Sequence, residues 1–406
     1  MADTGNNTLT IVMYPWFAMG HLTPYLLTAN KFAERGHKII LIIPPKAQSI
    51  LGPLNLHPGL IGFRPIPIPH VEGLPAHIET TNDATMQEKP LLRHALDLTQ
   101  PAVQSLLSDL KPDFVFFDML YWIPGLARRM QIKSIHYSVA SPASVGFLFA
   151  DGPLIEGGPT GFPASIKLYK HTARDFNKLF ETKEIGSGIT VKQRLMTAIC
   201  ESDAIGFKTC KEIEGPYCQF LESKLNKPIL LAGPIVPKPQ SLALDEKWAD
   251  WPPLGIDKIE EALPNGFKER TRERGIVHGD WVPQQQILKH PSVGSFFTHC
   301  GYGSMWEGLM SECQLVVLPH VGDQYINARL LSWDLKVGVE VEKGDEDGLF
   351  TKEGVHRAIM AAMAEDSEIG REVRANHDKW REFLLSEGLE DAYFDNFVEN
   401  LRALLE

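Results

Sequence analysis

With 406 residues, 44% of them hydrophobic, the chain is long enough to bury two cores rather than one. A formal net charge of −11 argues against a nucleic-acid or anionic-membrane partner, so any anion site must be local and built largely from backbone dipoles. Five cysteines without regular spacing fit a reducing cytosol, and no metal-ligand pattern is present.

Leu9 to Tyr14 reads as a buried strand, Leu22 to Arg35 as a helix stopped by Gly36, and HKIILIIPP from His37 as a second strand. This is a right-handed βαβ unit. Pro15, Trp16, Gly20 and His21 interrupt the apolar run, which speaks against a signal peptide, and residues 228 to 237 are too short to span a bilayer. A cytoplasmic chain without a membrane anchor is expected. His21 follows the carboxyl end of the first strand, where open α/β folds bind substrate. The alternative is a helix residue that satisfies a local acceptor.

KPDFVFFDMLYW gives a short strand from Phe114 to Phe117, with Asp118 as its first polar residue. A carboxylate there needs solvent or a partner, and His21 at the end of a neighbouring strand is the candidate. Trp16, Phe17, Met119, Tyr121 and Trp122 either line an apolar pocket or belong to ordinary core. Ser134 to Ser138 forms another strand, after which His136 and Ser141 are pocket candidates. Residues 151 to 163 are rich in glycine and proline and read as a loop. Thr190 to Ala198 is helical, Ala204 to Phe207 a strand before a helix near Glu212, and Lys227 to Leu231 a last strand. Three prolines after Gly233 then mark a semi-rigid linker.

Beyond the linker, polar groups of different chemistry sit at the ends of short apolar runs. A strand from Val293 to Phe297 leads through Thr298 and His299 into a turn with Gly301 and Gly303, then a helix from near Ser304. Free N–H groups and the positive dipole end of such a helix call for an anion. Glu307, one turn in, suits a hydroxyl. A strand from Leu315 to Leu318 ends in Pro319, His320 and Gly322-Asp323-Gln324, side chains suited to sugar hydroxyls. Trp281 offers a flat face to a base. Ala328 to Trp333 reads as helix and residues 337 to 342 as strand. Residues 344 to 348 form a solvated acidic loop, and Thr351 caps a further helix.

Taken together, Trp281, Pro283, Gln284, Leu288, His290, Phe297, Thr298, His299, Cys300, Gly301, Ser304, Glu307, Pro319, Asp323, Gln324 and Asn327 resemble the signature box of plant family 1 UDP-glycosyltransferases. The resemblance implies a GT-B fold, two Rossmann-like domains facing each other across a cleft. It implies that Trp281 stacks on uracil, Gln284 and Glu307 hold the ribose, and His299 and Ser304 meet the diphosphate. Asp323 and Gln324 would bind the donor sugar, and Val282, Gly301, Tyr302 and Gly303 complete the donor set. Tyr302 stands where the family usually has Trp, and Gly303 where it has Asn. The Gly20-His21-x-x-Pro24 stretch resembles the catalytic segment, with His21 as general base and Asp118 as its support. Trp16-Phe17-Ala18-Met19 and the Thr209-Cys210-x-Glu212-Ile213-Glu214-Gly215 stretch resemble the subgroup that adds sugar to a flavonoid or terpenoid glycoside.

The domains implied are residues 1–233 for the acceptor, a linker at 234–250, residues 251–380 for the donor, and a helix at 381–406 that packs back on the first domain. No buried strand precedes the box, whereas the resemblance implies a strand, a glycine-serine phosphate contact, a helix and a further strand. About 45 to 55 residues are therefore expected to be absent near Trp251, the size of a βαβ unit. Omission of existing residues is preferred to true truncation, because loss of a central strand would uncover the core. The expected activity is inverting transfer from a UDP-sugar, UDP-glucose first, without a metal, to a glycoside or aglycone by a monomeric enzyme. UDP-xylose or UDP-rhamnose are alternative donors, and a non-catalytic nucleotide-sugar binder is the alternative from another class. The absence of G-x-G-x-x-G after the first strand disfavours a Rossmann dehydrogenase.

Overall fold

In the computed structural model, residues 8–150, 161–163, 166, 168–235, 263–272, 274–275, 277, 282, 284–364 and 366–406 are described. Most of the expected loop over 151 to 163, the linker beyond Ile235, Trp251 and Trp281 lie outside them.

Seven parallel strands form the first sheet: β1 (Thr10–Tyr14), β2 (Lys38–Ile43), β3 (Ile61–Pro65), β4 (Phe114–Phe117), β5 (Lys133–Ser138), β6 (Ala204–Phe207) and β7 (Ile229–Leu231), in the order β3-β2-β1-β4-β5-β6-β7. Central β1 pairs Val12 with Ile40 on one side and Val115 on the other. Nearly every side chain of β1 and all of β4 are buried, as expected of a sheet covered on both faces, which explains their unbroken apolar runs. Among the described residues the second sheet has three parallel strands, β8 (Ser295–Thr298), β9 (Gln314–Val317) and β10 (Gly338–Glu340), in the order β10-β9-β8.

Helix α1 (Met19–Glu34) starts three residues before the expected Leu22, so His21 sits in its first turn. Further along the chain, α2 (Pro142–Phe149) follows β5 and α3 (Lys211–Leu225) follows β6. After β8 comes α4 (Tyr302–Leu309), beginning at Tyr302 instead of Ser304. The helix expected over 328 to 333 is shifted upstream. It runs Gln324–Arg329 and then widens into a π-type turn, Leu330–Asp334. Thr351 does cap its helix, its Oγ1 accepting from the Gly354 N–H at 3.0 Å. The strand β3 and the helices Lys89–Asp97 and Gln100–Leu110 lie in a stretch without a clear sequence signal.

The last helix, α5 (Leu389–Ala403), belongs to the core of the first sheet. Phe394 and Phe397 are fully buried, with ring centroids 4.9 and 5.9 Å from Phe32. Phe397 also meets Phe116 and Tyr137, each at 6.3 Å. Arg35 adds an ion pair to Asp395 at 2.5 Å and Lys31 one to Asp391 at 3.2 Å.

Candidate active site

The carboxyl ends of the strands in both sheets open onto one cleft of about 950 Å³. That is where parallel α/β sheets place their ligands. The N-terminal wall carries His21, Met119 and His136, with Asp118 behind His21; the other wall carries Val282, Gln284, His299, Gly301, Tyr302, Gly303, Ser304, Glu307 and Asp323.

His21 Nδ1 lies 2.5 Å from Asp118 Oδ2. Asp118 is 3% exposed, and its Oδ1 accepts the main-chain N–H groups of Trp16 at 2.8 Å and Met119 at 2.5 Å. The carboxylate is thereby held by three donors, and the imidazole is fixed as the Nδ1–H tautomer, which leaves Nε2 as a base. The first polar residue after β4 and a histidine in the first turn of the helix that follows the adjacent β1 thus make one dyad.

On the opposite wall, Cys300 turns the chain with a left-handed φ of 65°, its N–H held by Thr298 Oγ1 at 3.1 Å. The turn delivers α4 with Gly301 at its N-cap and no side chain capping it, so the first N–H groups of the helix face the cleft. A Cβ at Gly301 would lie 2.7 Å from His299 Nε2, so only glycine lets the imidazole fold over the turn. Partial desolvation, reinforced by nearby His320, pushes the His299 pKa down. Gln284 Nε2 donates to Glu307 Oε2 at 2.6 Å and lies 3.3 Å from Ser304 Oγ, while Gln285 Nε2 donates to Glu307 Oε1 at 3.1 Å.

Asp323 has its carboxyl pKa raised by burial, and a hydrogen bond from Asn327 Nδ2 at 3.0 Å pulls it back. Asn327 Nδ2 also reaches Cys300 O at 3.0 Å, and Asn327 Oδ1 accepts from Ser141 Oγ at 2.8 Å. Ser141 therefore joins the two halves and caps α2 through the Ser144 N–H at 3.1 Å, instead of facing the cleft. A second bridge is Tyr302. Its hydroxyl donates to Glu214 Oε2 at 2.8 Å and lies 3.1 Å from Lys208 O, and Thr209 Oγ1 donates to the same Glu214 oxygen at 2.8 Å. Glu214 is fully buried, and burial pushes its carboxyl up to about 7.

Other expected side chains are placed elsewhere. Gln324 Oε1 accepts the N–H groups of His320 at 3.0 Å and Val321 at 3.1 Å, so the carboxamide ties down its own loop. Phe17 is fully buried against Tyr14, Trp122 packs edge-on to Tyr14, and Trp16 is 7% exposed beside Arg93. Tyr121 lies under the Arg194 guanidinium at 4.6 Å, which is itself paired with Asp97 at 2.5 Å and with Glu184. His136 does line the cleft, but burial takes its pKa down to about 4, so it is a neutral wall. Sequence reasoning missed Asn327 as a side-chain bridge, Glu214 as the partner of Tyr302, and Lys208. The last carried the same signal as Asp118, being the first polar residue after an apolar strand.

Two parallel α/β units that share a cleft, with a His–Asp dyad facing a helix N-terminus, define a GT-B transferase. The fold matches Glycyrrhiza uralensis UGT73P12 complexed with glycyrrhetinic acid 3-O-monoglucuronide, with a TM-score of 0.77 at 19% identity, covering 98% of this chain and 96% of that one. Residues 255–368 match the family described as UDP-glucoronosyl and UDP-glucosyl transferase. A cyanidin 3-O-galactoside 2''-O-xylosyltransferase of Actinidia chinensis var. chinensis is 46% identical, over 99% of this chain and 100% of its own length. An anthocyanidin 3-O-glucoside 2''-O-glucosyltransferase of Ipomoea nil is 44% identical over 98% of each chain. The chain belongs to the plant UDP-glycosyltransferases and is an enzyme of that class. The alignment with the Actinidia relative runs over 456 positions, 50 more than the 406 residues of this chain. Among the described residues, no helix is long and apolar enough to cross a membrane.

Proposed function

We propose that the enzyme transfers a sugar from UDP-glucose to a hydroxyl on the sugar of a flavonoid or related small-molecule glycoside, with inversion at the anomeric carbon. The observation that carries this reading is the 2.5 Å His21–Asp118 pair set across the cleft from the open N-terminus of α4. His21 Nε2 takes the acceptor proton as the acceptor oxygen forms its bond to the anomeric carbon, and the bond from that carbon to the UDP oxygen breaks. Asp118 stabilises the imidazolium that results. Charge developing on the departing UDP is met by His299, Ser304 and the first N–H groups of α4. Gln284 and Glu307, already paired, exchange their mutual hydrogen bond for the ribose hydroxyls. Asp323 is the sugar-reading side chain, since Gln324 is committed to its loop. The 50 additional positions in the Actinidia alignment match in number the segment expected to be absent near Trp251.

Support for a glycoside acceptor comes from the two relatives, each named for adding sugar to an anthocyanidin-type glycoside. UDP-xylose is the second donor reading, favoured by the 46% identical xylosyltransferase. A screen of UDP-glucose, UDP-xylose and UDP-rhamnose against free and glycosylated flavonoids tests both substrates; transfer only to free aglycones overturns the acceptor. His21→Ala abolishes transfer and spares UDP binding, and Asp118→Asn lowers kcat by about 10²-fold or more through loss of the tautomer lock. Persisting transfer in the His21 variant overturns the mechanism.

A further inference from the structure

Lys208 is the first residue after β6, on the N-terminal wall of the cleft. It is 6% exposed, yet among the described residues its ammonium has no hydrogen bond and no ion pair. The carboxylates that act on it electrostatically, Glu307 and Glu390, do so from beyond pairing distance. A lysine side chain this enclosed that pairs with no carboxylate among the described residues is costly to hold charged, in a chain of net charge −11. Burial depresses its pKa to about 8, which still leaves it mostly protonated at neutral pH.

Its backbone is fixed to the other wall. The Lys208 carbonyl lies 3.1 Å from the Tyr302 hydroxyl, and Thr209, next in the chain, shares Glu214 with that hydroxyl. Tyr302 opens α4, so Lys208 is held opposite the N-terminus of this helix. At the next residue, Gly303, a Cβ would meet no atom within 4 Å, so the space is open. Gly303, His299, Ser304 and Lys208 all line the same cleft.

We infer that Lys208 is a cationic ligand of the donor's diphosphate, reaching from the acceptor half into the space left open at Gly303. This rests on the UDP-sugar reading above and adds a group to it. Among the described residues the lysine forms no ion pair of its own, so an entering nucleoside diphosphate supplies one, and the lysine meets the charge that grows on departing UDP.

The test measures binding of UDP and of uridine to wild type, Lys208→Met and Lys208→Arg by titration calorimetry, with circular dichroism to verify folding. Methionine keeps the volume and removes the charge; arginine keeps the charge. The expected result for Lys208→Met is about a tenfold or greater loss of UDP affinity with uridine affinity unchanged, and for Lys208→Arg a UDP affinity within about threefold of wild type. Unchanged UDP affinity in Lys208→Met, or equal losses for UDP and uridine, overturns the assignment while leaving the transferase reading intact. A wild-type enzyme that binds neither UDP nor uridine overturns both.

Discussion

Replacing Tyr302 with Phe removes one hydroxyl from the bridge between the two halves and nothing else. Glu214 is 0% exposed, and of its two side-chain donors, Tyr302 and Thr209, one is lost. A hydrogen bond to an ionised partner contributes about 1.5–3 kcal/mol and a neutral one about 1 kcal/mol. The cost therefore depends on the charge of Glu214. Burial raises this carboxyl from the ordinary 4.5 to about 7. The folded chain then holds a proton that the unfolded chain has released, so stability falls as pH rises from about 4.5 to about 7. A shift of that size corresponds to about 3 kcal/mol, fully lost above the upper value. Urea unfolding of wild type, Tyr302→Phe, Glu214→Gln and the double variant at pH 5 and pH 8 measures both effects. At pH 8 the Tyr302→Phe change should cost about 2 kcal/mol in wild type and about 1 kcal/mol with Gln at 214; at pH 5 it should cost about 1 kcal/mol in both. The Gln variant should also lose the stability change between the two pH values. Equal costs for Tyr302→Phe at both pH values and in both backgrounds would refute an ionised Glu214 as its acceptor.

Gly301→Ala should leave the fold intact, because the atom in its way is the end of the exposed His299 side chain, but swing that imidazole out of the cleft. UDP affinity is expected to fall about tenfold, the equivalent of one charge-assisted hydrogen bond, and an unchanged titration would remove His299 from the donor site. Phe394→Ala empties a fully buried ring site against Phe32, and should destabilise the chain by about 3–5 kcal/mol. A loss below about 1 kcal/mol in urea unfolding would show that α5 contributes little to that core.

What was legible in the sequence follows a physical division. Strands buried on both faces appear as uninterrupted apolar runs, so Phe114–Phe117 and Ala204–Phe207 could be read to the residue. The polar residues ending β4 and following β1 had to sit at one rim, which made His21 and Asp118 a reasonable pair. Positions along the chain say less about which way a side chain turns. Gln324 satisfies two loop N–H groups at 3.0 and 3.1 Å, a local bond that no spacing rule distinguishes from a sugar contact. Trp16, Phe17 and Trp122 are aromatic in the core for the same reason they would be aromatic in a pocket. The Tyr302–Glu214 bridge joins residues 88 apart on different halves, and no periodicity encodes such a contact.

The return of α5 to the first sheet also governs how such enzymes can be recombined. An exchange of donor halves made with one crossover in the linker would bring a foreign last helix against Phe32, Phe116 and Tyr137. A chimera that keeps its acceptor-side core intact needs a second crossover, in the short segment between Leu384 and Leu389, so that the final helix travels with the N-terminal sheet it completes.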